Sequence, residues 1–371
     1  MKILHTSDIH LHNDHPERFD ALKKVLEKAN EFSVDYLVIA GDLFQDLESA
    51  ADIFIRLRTI FNNLPFRVIV IPGNHDYSLY ETQRDLGNSA IVLNAENPIF
   101  EERFSNVTFF TVPYSDGLLP EHFSARLAIL VQKLSPNFLN IFVYHGDLEE
   151  VVLRLRTRRR SSREERGKAF SVNLHHVEML QRVKLVLAGH YHNAIDVFKY
   201  GPDGLFIYSG SPVSVTKSDT SERSVVLVEI NGTEISSYQR IHISSFNYRD
   251  LVISLNGFEQ NPVETVLQRI QDELMNDSEV RILLTLKGFI NREISGIGEK
   301  EFTDLLVKRI SSQWSDRVIL DEGWNEVKDI SIIMSRDFCR NVFDKIDALE
   351  NTEEEKRYLK QMFIDALLRV K

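Results

Sequence analysis

The chain has 371 residues, 43% of them hydrophobic and 27% charged, and a net charge of −11. This is the composition of a globular protein with room for more than one domain; the acidic balance argues against a broad nucleic-acid-coating surface but leaves room for a local basic tract. No run approaches the roughly 18 apolar residues needed to span a bilayer, the N-terminal residues do not read as a signal peptide, and the single cysteine, Cys339, excludes an internal disulfide or a cysteine-ligated zinc knot, so a cytoplasmic protein with no membrane association is expected.

In chain order, five apolar runs end in clustered polar residues. Ile3-Leu4-His5 leads to Thr6-Ser7-Asp8-Ile9-His10, and Tyr36 to Ala40 leads to Gly41-Asp42. Between them Phe19, Leu22, Val25, Leu26 and Ala29 recur at helical spacing. A second helix is predicted over Ala50 to Phe61. Val68 to Ile71 is too short and too β-branched for a helix; Pro72-Gly73 stops it and delivers Asn74, His75 and Asp76 onto a loop. Ile141 to Tyr144 then leads to His145-Gly146-Asp147, and Leu185 to Ala188 to Gly189-His190-Tyr191-His192. Alternating strands and helices predict an α/β sheet, in which ligands collect beyond the strand ends.

Those ends would bring together Asp8, His10, Asp42, Asn74, His75, His145, His190 and His192. Imidazole, carboxylate and amide donors without thiolate favour manganese, iron or zinc over magnesium or calcium. Seven ligands are too many for one tetrahedral ion and suit two ions sharing a carboxylate, an arrangement that activates water and clamps a phosphate. His75 is the eighth residue of the set and suits an acid or charge stabiliser.

From Arg154 to Lys168 eight basic residues, among them Arg154, Arg156, Arg158, Arg159, Arg160 and Arg163, face two glutamates, a local +6. Such a tract between two ligand motifs reads as a nucleic-acid contact, a solvated loop being the bland alternative. His175 and His176 fall in a helical stretch, Leu174 to Gln181, as surface or packing residues. Leu205 to Ile243 alternates apolar and polar residues with a turn at Asn231-Gly232, and predicts strands of an antiparallel second layer.

The pattern changes near Ser244. Residues 246–334 read as a small α/β domain, with strands at Leu251 to Leu255, Val280 to Leu286 and Val318 to Leu320. Its helices are predicted at Val263 to Leu274, opened by Asn261-Pro262, and at Glu301 to Ile310. Residues 335–371 form two amphipathic helices, the second opened by a capping box of Thr352 and Glu355. They pack on the α/β domain or dock to a partner.

The blocks Asp8-Ile9-His10, Gly41-Asp42, Gly73-Asn74-His75-Asp76, His145 and Gly189-His190-Tyr191-His192 resemble the five motifs of the calcineurin-like metallophosphoesterases. Ser7 to Leu11, Ala40 to Phe44 and Ser209-Gly210-Ser211-Pro212 resemble more closely the SbcD-type DNA exonuclease subunits of break repair. The resemblance covers residues 1–245. It implies a four-layer αββα sandwich followed by a cap domain, and two ions, usually manganese. One ion would be held by Asp8, His10 and His192, the other by Asn74, His145 and His190, with Asp42 shared. It further implies a bridging hydroxide attacking a phosphodiester in line, and His75 as transition-state stabiliser or acid rather than ligand. DNA would be the substrate, and an SbcC-type coiled-coil ABC ATPase the partner of the C-terminal helices; a homodimer is a further expected assembly. His12 stands where many relatives carry glycine, and Gln45, beside Asp46, where break-repair relatives often carry a histidine; Gln45 or Asp46 could bond His75. A phosphodiesterase or phosphatase of nucleotides or small esters is the alternative enzyme, and a catalytically silent scaffold the alternative without enzymatic activity.

Overall fold

The computed structural model describes residues 1–82, 85–115, 120–157, 171–179, 181–193, 195–331 and 337–369, less the side chains of a few helical residues within them. Two compact units divide the chain, Met1–Tyr248 and Arg249–Lys371.

The first unit runs β1 (Lys2–Thr6), α1 (Pro16–Glu31), β2 (Tyr36–Ala40), α2 (Leu47–Phe61), β3 (Arg67–Ile71), α3 (Leu79–Thr82), β4 (Ala90–Val92), β5 (Ile99–Glu102) and β6 (Val107–Phe110). It continues with α4 (Pro120–Lys133), β7 (Leu139–His145), β8 (Asp147–Leu148), α5 (Glu149–Thr157), β9 (Ser171–Val172), α6 (Leu174–Met179) and β10 (Val183–Gly189). It closes with β11 (Phe198–Tyr200), β12 (Gly204–Tyr208), β13 (Ser224–Asn231) and β14 (Glu234–His242). Two six-stranded sheets result, ordered β14-β13-β1-β2-β3-β4 and β11-β12-β10-β7-β6-β5. Strands β1 to β4 pair in parallel, as do β12, β10, β7 and β6; β13 and β14 add antiparallel on one side of the first sheet, and β11 and β5 form antiparallel edges of the second.

Side-chain alternation makes the layers. Val38 and Ala40 of β2 and Ile69 and Ile71 of β3 face inward, meeting Ile141 and Val143 of β7 and Leu185 and Leu187 of β10. Leu37, Ile39, Val68 and Val70 face outward, under α1 (Phe19, Leu22, Val25) and α2 (Ile53, Leu57, Phe61). On the other side Phe142, Tyr144, Val186 and Ala188 are covered by Phe123 and Leu127 of α4 and Val177 of α6. Strands buried on both faces read as continuous apolar runs, and each fully buried aliphatic side chain contributes about 1.5–3 kcal/mol. The product is a four-layer αββα sandwich.

One sequence expectation is corrected. Residues 205–243 do not form a single antiparallel layer: β12 lies in the second sheet parallel to β10, whereas β13 and β14 close the first sheet beside β1. The reason is burial. All five residues of β12 are buried, and polar–apolar alternation gives each strand's faces without telling which sheet receives it. The hairpin at Asn231-Gly232 is present, with Gly232 at φ +61°.

The second unit has a sheet ordered β15 (Asn247–Asn256), β16 (Val280–Ile290) and β17 (Val318–Ile319), with β18 (Lys328–Asp329) also pairing with β16. Helices α7 (Pro262–Asn276), α8 (Arg292–Ser295) and α9 (Glu299–Trp314) join it; Val266, Ile270, Phe302 and Leu306 of α7 and α9 bury against Ile282 and Leu284 of β16. Two helices end the unit, α10 (Asp337–Asp347) and α11 (Glu353–Arg369). Among the described residues, no helix is long and apolar enough to cross a membrane.

Candidate metal centre

The five motifs sit where β1, β2, β3, β7 and β10 end. Four of their residues take a positive φ that side chains other than glycine disfavour: Asp8 (+54°), His10 (+52°), Asp42 (+50°) and His190 (+108°). Such a conformation costs on the order of 1–3 kcal/mol per residue and persists where surrounding bonds over-determine it. Here the loops are laced together. Asp8 N–H donates to the Gly41 carbonyl (3.0 Å), His10 N–H to that of Asp42 (3.0 Å) and Leu11 N–H to that of Leu43 (2.9 Å). The buried Asp76 carboxylate accepts from the N–H groups of Gly73 (2.7 Å), Leu43 (2.8 Å) and Phe44 (3.2 Å), tying the third loop to the second. Gly41, at φ +89°, packs against the His145 ring, which a Cβ there would strike.

This lacing gathers lone pairs. The ring atoms His10 Nε2 and His192 Nε2 face each other at 3.2 Å. His145 Nε2 lies 3.1 Å and His190 Nδ1 3.3 Å from Asn74 Oδ1. Asp42 Oδ2 is 3.3 Å from His145 Nε2 and 3.7 Å from His10 Nε2, while its Oδ1 accepts the His75 N–H at 2.9 Å. One donor atom from each of Asp8, His10 and His192 falls within 4.8 Å of the others; the same holds for Asp8, Asp42 and His145, and for His10, Asp42 and His75. Nitrogen and oxygen donors aimed at one another across buried space fit divalent cations of the manganese, iron and zinc type. His75 stands apart in one respect: it is exposed, whereas His10, Asp42 and His145 are buried. A cavity of about 670 Å³ opens over the cluster, lined also by His12, His15, Arg18, Gln45 and Thr216.

The electrostatics have one organising charge. Burial alone would raise Asp42, but the imidazoles of His145, His10 and His75 outweigh it and hold the carboxyl far below its ordinary range. Burial opposes protonation of His145, yet Asp42 and then Asp8 push it up to about 10. Burial raises Asp8 and depresses His10. His190 is lowered to about 3, by burial and then by the His145 charge. Burial and the Asp42 charge bring Asp76 up to about 7 against its three backbone donors. Without a cation, the His145 imidazolium therefore balances Asp42, and an entering cation takes over that place.

All eight strand-end residues thus lie in one cluster. Of the basic tract, Arg154 and Arg156 lie on α5, whose side chains there are not described, and Arg158, Arg159, Arg160 and Arg163 lie outside the described residues. Gln45 Oε1 accepts from Arg18 at 2.9 Å, and Asp46 lies 3.5 Å from His12. Sequence reading passed over four supports: Asp219 behind His192, Asp147 at 3.5 Å from His190 Nε2, Arg18 donating to the His10 carbonyl, and Arg223 donating to that of His192. Asp147 was within reach, lying two residues past His145; the others carry no local signal.

An αββα sandwich with Asp, Asn and His donors at its strand ends defines a phosphoesterase class. The chain belongs to the calcineurin-like phosphoesterase family, whose pattern matches residues 1–194. It is 25% identical to the DNA double-strand break repair protein Mre11 of Methanosarcina acetivorans, over 78% of this chain and 46% of that protein. To the protein of the same name from Methanosarcina mazei it is 24% identical, over 78% and 45%. With that of Archaeoglobus fulgidus it shares 30% identity over 33% of this chain and 31% of that protein. The chain thus spans about half the length of the first two relatives. Among solved structures, a novel archaeal phosphodiesterase is similar at 17% identity and a TM-score of 0.33, covering 65% of this chain and 99% of its own. A protein of Thermus thermophilus is similar at 14% and 0.40, covering 65% and 98%. These superpositions are too low to bear on activity.

Proposed function

We propose that the chain is a two-metal phosphodiesterase that cleaves DNA as the nuclease subunit of a break-repair assembly. The observation that carries this is Asp42: its Oδ2 faces His145 on one side and His10 on the other, the position of a carboxylate shared by two ions. Asp8, His10 and His192 would hold one ion, and Asn74, His145 and His190 the other. Manganese suits the donor set, as do iron and zinc. Bound ions supply Lewis-acid polarisation of phosphoryl oxygens and a water acidic enough to attack at neutral pH.

The chain's own residues do the rest. The buried carboxylates and strained loops fix the donors before substrate arrives, so little reorganisation accompanies reaction. His75, exposed at the cavity and pinned through its backbone to Asp42, donates a proton or hydrogen bond to the phosphate or its leaving oxygen. Arg154 to Lys168 would contact the DNA backbone. Residues 246–334 would act as a cap, and the C-terminal helices would dock to an SbcC-type coiled-coil ATPase. A cytoplasmic setting and a homodimer complete the reading. Support for DNA comes from the two Methanosarcina relatives, which are DNA double-strand break repair proteins.

The test uses the full chain with manganese, magnesium or chelator, on bis-p-nitrophenyl phosphate and on end-labelled single- and double-stranded DNA. Chelator-sensitive cleavage of both substrate classes is expected. Turnover of the small diester or of cyclic nucleotides with DNA left intact would transfer the chain to the small-ester enzymes. Absence of any metal-dependent hydrolysis would leave a silent scaffold.

A further inference from the structure

His192 is the last of the strand-end histidines, and its two ring nitrogens face different chemistry. Nε2 points to His10 Nε2 at 3.2 Å, inside the donor cluster. Nδ1 points away, to Asp219 Oδ2 at 3.1 Å. Asp219 is 1% exposed and comes from a turn 27 residues further along the chain. Its Oδ2 also accepts from the backbone N–H groups of Thr216 (2.7 Å) and Val215 (2.9 Å), and its carbonyl accepts from the Ser214 hydroxyl (2.6 Å). The carboxylate is therefore fixed before the imidazole meets it. The loop carrying His192 is fixed too: the buried Arg223 guanidinium donates to the His192 carbonyl at 3.1 Å and to Asn193 Oδ1 at 3.1 Å. Two neighbouring cluster histidines are held differently. His145 Nδ1 faces the Ala40 carbonyl at 2.8 Å, and the buried Nδ1 of His10 has no hydrogen-bond partner among the described residues.

The geometry points to Asp219 as the positioning residue for His192: it holds the proton on Nδ1, and so presents the Nε2 lone pair to the cation that Asp8 and His10 share. An acidic partner behind a ligating imidazole fixes its tautomer and raises its basicity. Asp219 is buried behind the ring and does not line the cavity over the cluster. The inference rests on the proposed reading of His192 as a ligand, and makes the ion at Asp8, His10 and His192 the one that depends on Asp219, not the ion at Asn74, His145 and His190.

The experiment uses the full chain labelled with nitrogen-15, first free of metal at alkaline pH and then titrated with manganese. The His192 ring signals, assigned with His192→Gln, should show the proton on Nδ1. Asp219→Ala should mix the tautomers and weaken one manganese site by roughly 10–100-fold, leaving the other unchanged. Asp219→Asn keeps a neutral oxygen for the turn, so the fold survives; the tautomer should persist while affinity falls toward the lower end of that range. A proton on Nε2 in the wild type, or wild-type manganese affinity in Asp219→Asn, overturns the assignment. If no manganese binds at all, the proposed function fails, and the metal-free tautomer still decides the role of Asp219.

Discussion

At the scale of single residues, the division of labour between Asp42 and His75 is the sharpest consequence of the geometry. Asp42 faces donors of both proposed ions, so Asp42→Asn should impair binding of both. His75→Ala should keep both ions and lose hydrolysis by roughly 10²–10³-fold, the cost of removing a transition-state donor. Metal analysis of the two variants beside diester kinetics decides between these roles; loss of metal from His75→Ala would make it a ligand.

The charge balance gives a second expectation. His145 in the metal-free chain is raised to about 10 from 6.5, so it is protonated at neutral pH and must lose that proton to bind a cation. Manganese affinity should therefore rise with pH through the neutral range, and binding should release a proton, measurable by calorimetry in buffers of different ionisation enthalpy. The sign for stability is the reverse. A raised folded-state value stabilises the metal-free fold fully below pH 6.5, and that stabilisation is lost as pH climbs through about 10. Melting curves with chelator should decline across that window, and manganese should flatten the decline. No proton release at neutral pH would contradict the His145–Asp42 balance.

All eight cluster residues were legible in the sequence because each lies within a few residues of the end of an apolar run, and the fold brings those ends to one place. Asp219 and Arg18 were not, since their work is done across chain separations that no spacing rule reports.

At the scale of elements, legibility followed length and punctuation. The helix over Pro262–Asn276 begins at the proline that announced it. In α11 the capping box is formed as expected: Glu355 N–H donates to Thr352 Oγ1 at 3.2 Å, and Thr352 N–H donates to Glu355 Oε2 at 2.9 Å. By contrast β4, β5 and β6, of three or four residues each, were not read, because such short runs lack a period to recognise. Thr352→Ala should destabilise the start of α11 by about 0.5–2 kcal/mol, with amide exchange quickening in its first turn and diester hydrolysis unchanged. The two terminal helices meet through Phe338 and Phe343 against Phe363, at ring separations of 5.8 and 5.7 Å, while Tyr358 and Met362 remain exposed. Deleting residues 335–371 should abolish capture of a coiled-coil ATPase and leave manganese-dependent diester cleavage intact. A truncated chain that melts far earlier would assign the helices to this unit's own core instead.

At the scale of the whole molecule, charge is unevenly spread: a net −11 includes a stretch of local +6 between two ligand motifs. If half of that stretch meets phosphates, replacing Arg158, Arg159 and Arg160 with alanine should flatten the salt dependence of DNA affinity by roughly two to three units. The loss should be alike across sequences, since backbone contacts carry no base information, and bis-p-nitrophenyl phosphate turnover should hardly change. An unchanged slope with unchanged DNA cleavage would reduce the tract to a solvated loop. The proposed function depends on strand ends from both sheets assembling a site for two ions around one shared carboxylate. Anomalous diffraction from manganese-soaked crystals tests it most directly. Two peaks are expected, one among Asp8, His10 and His192 and one among Asn74, His145 and His190, with Asp42 in contact with both and neither peak retained at full height in Asp42→Asn. A single peak, or two that leave Asp42 untouched, would contradict it.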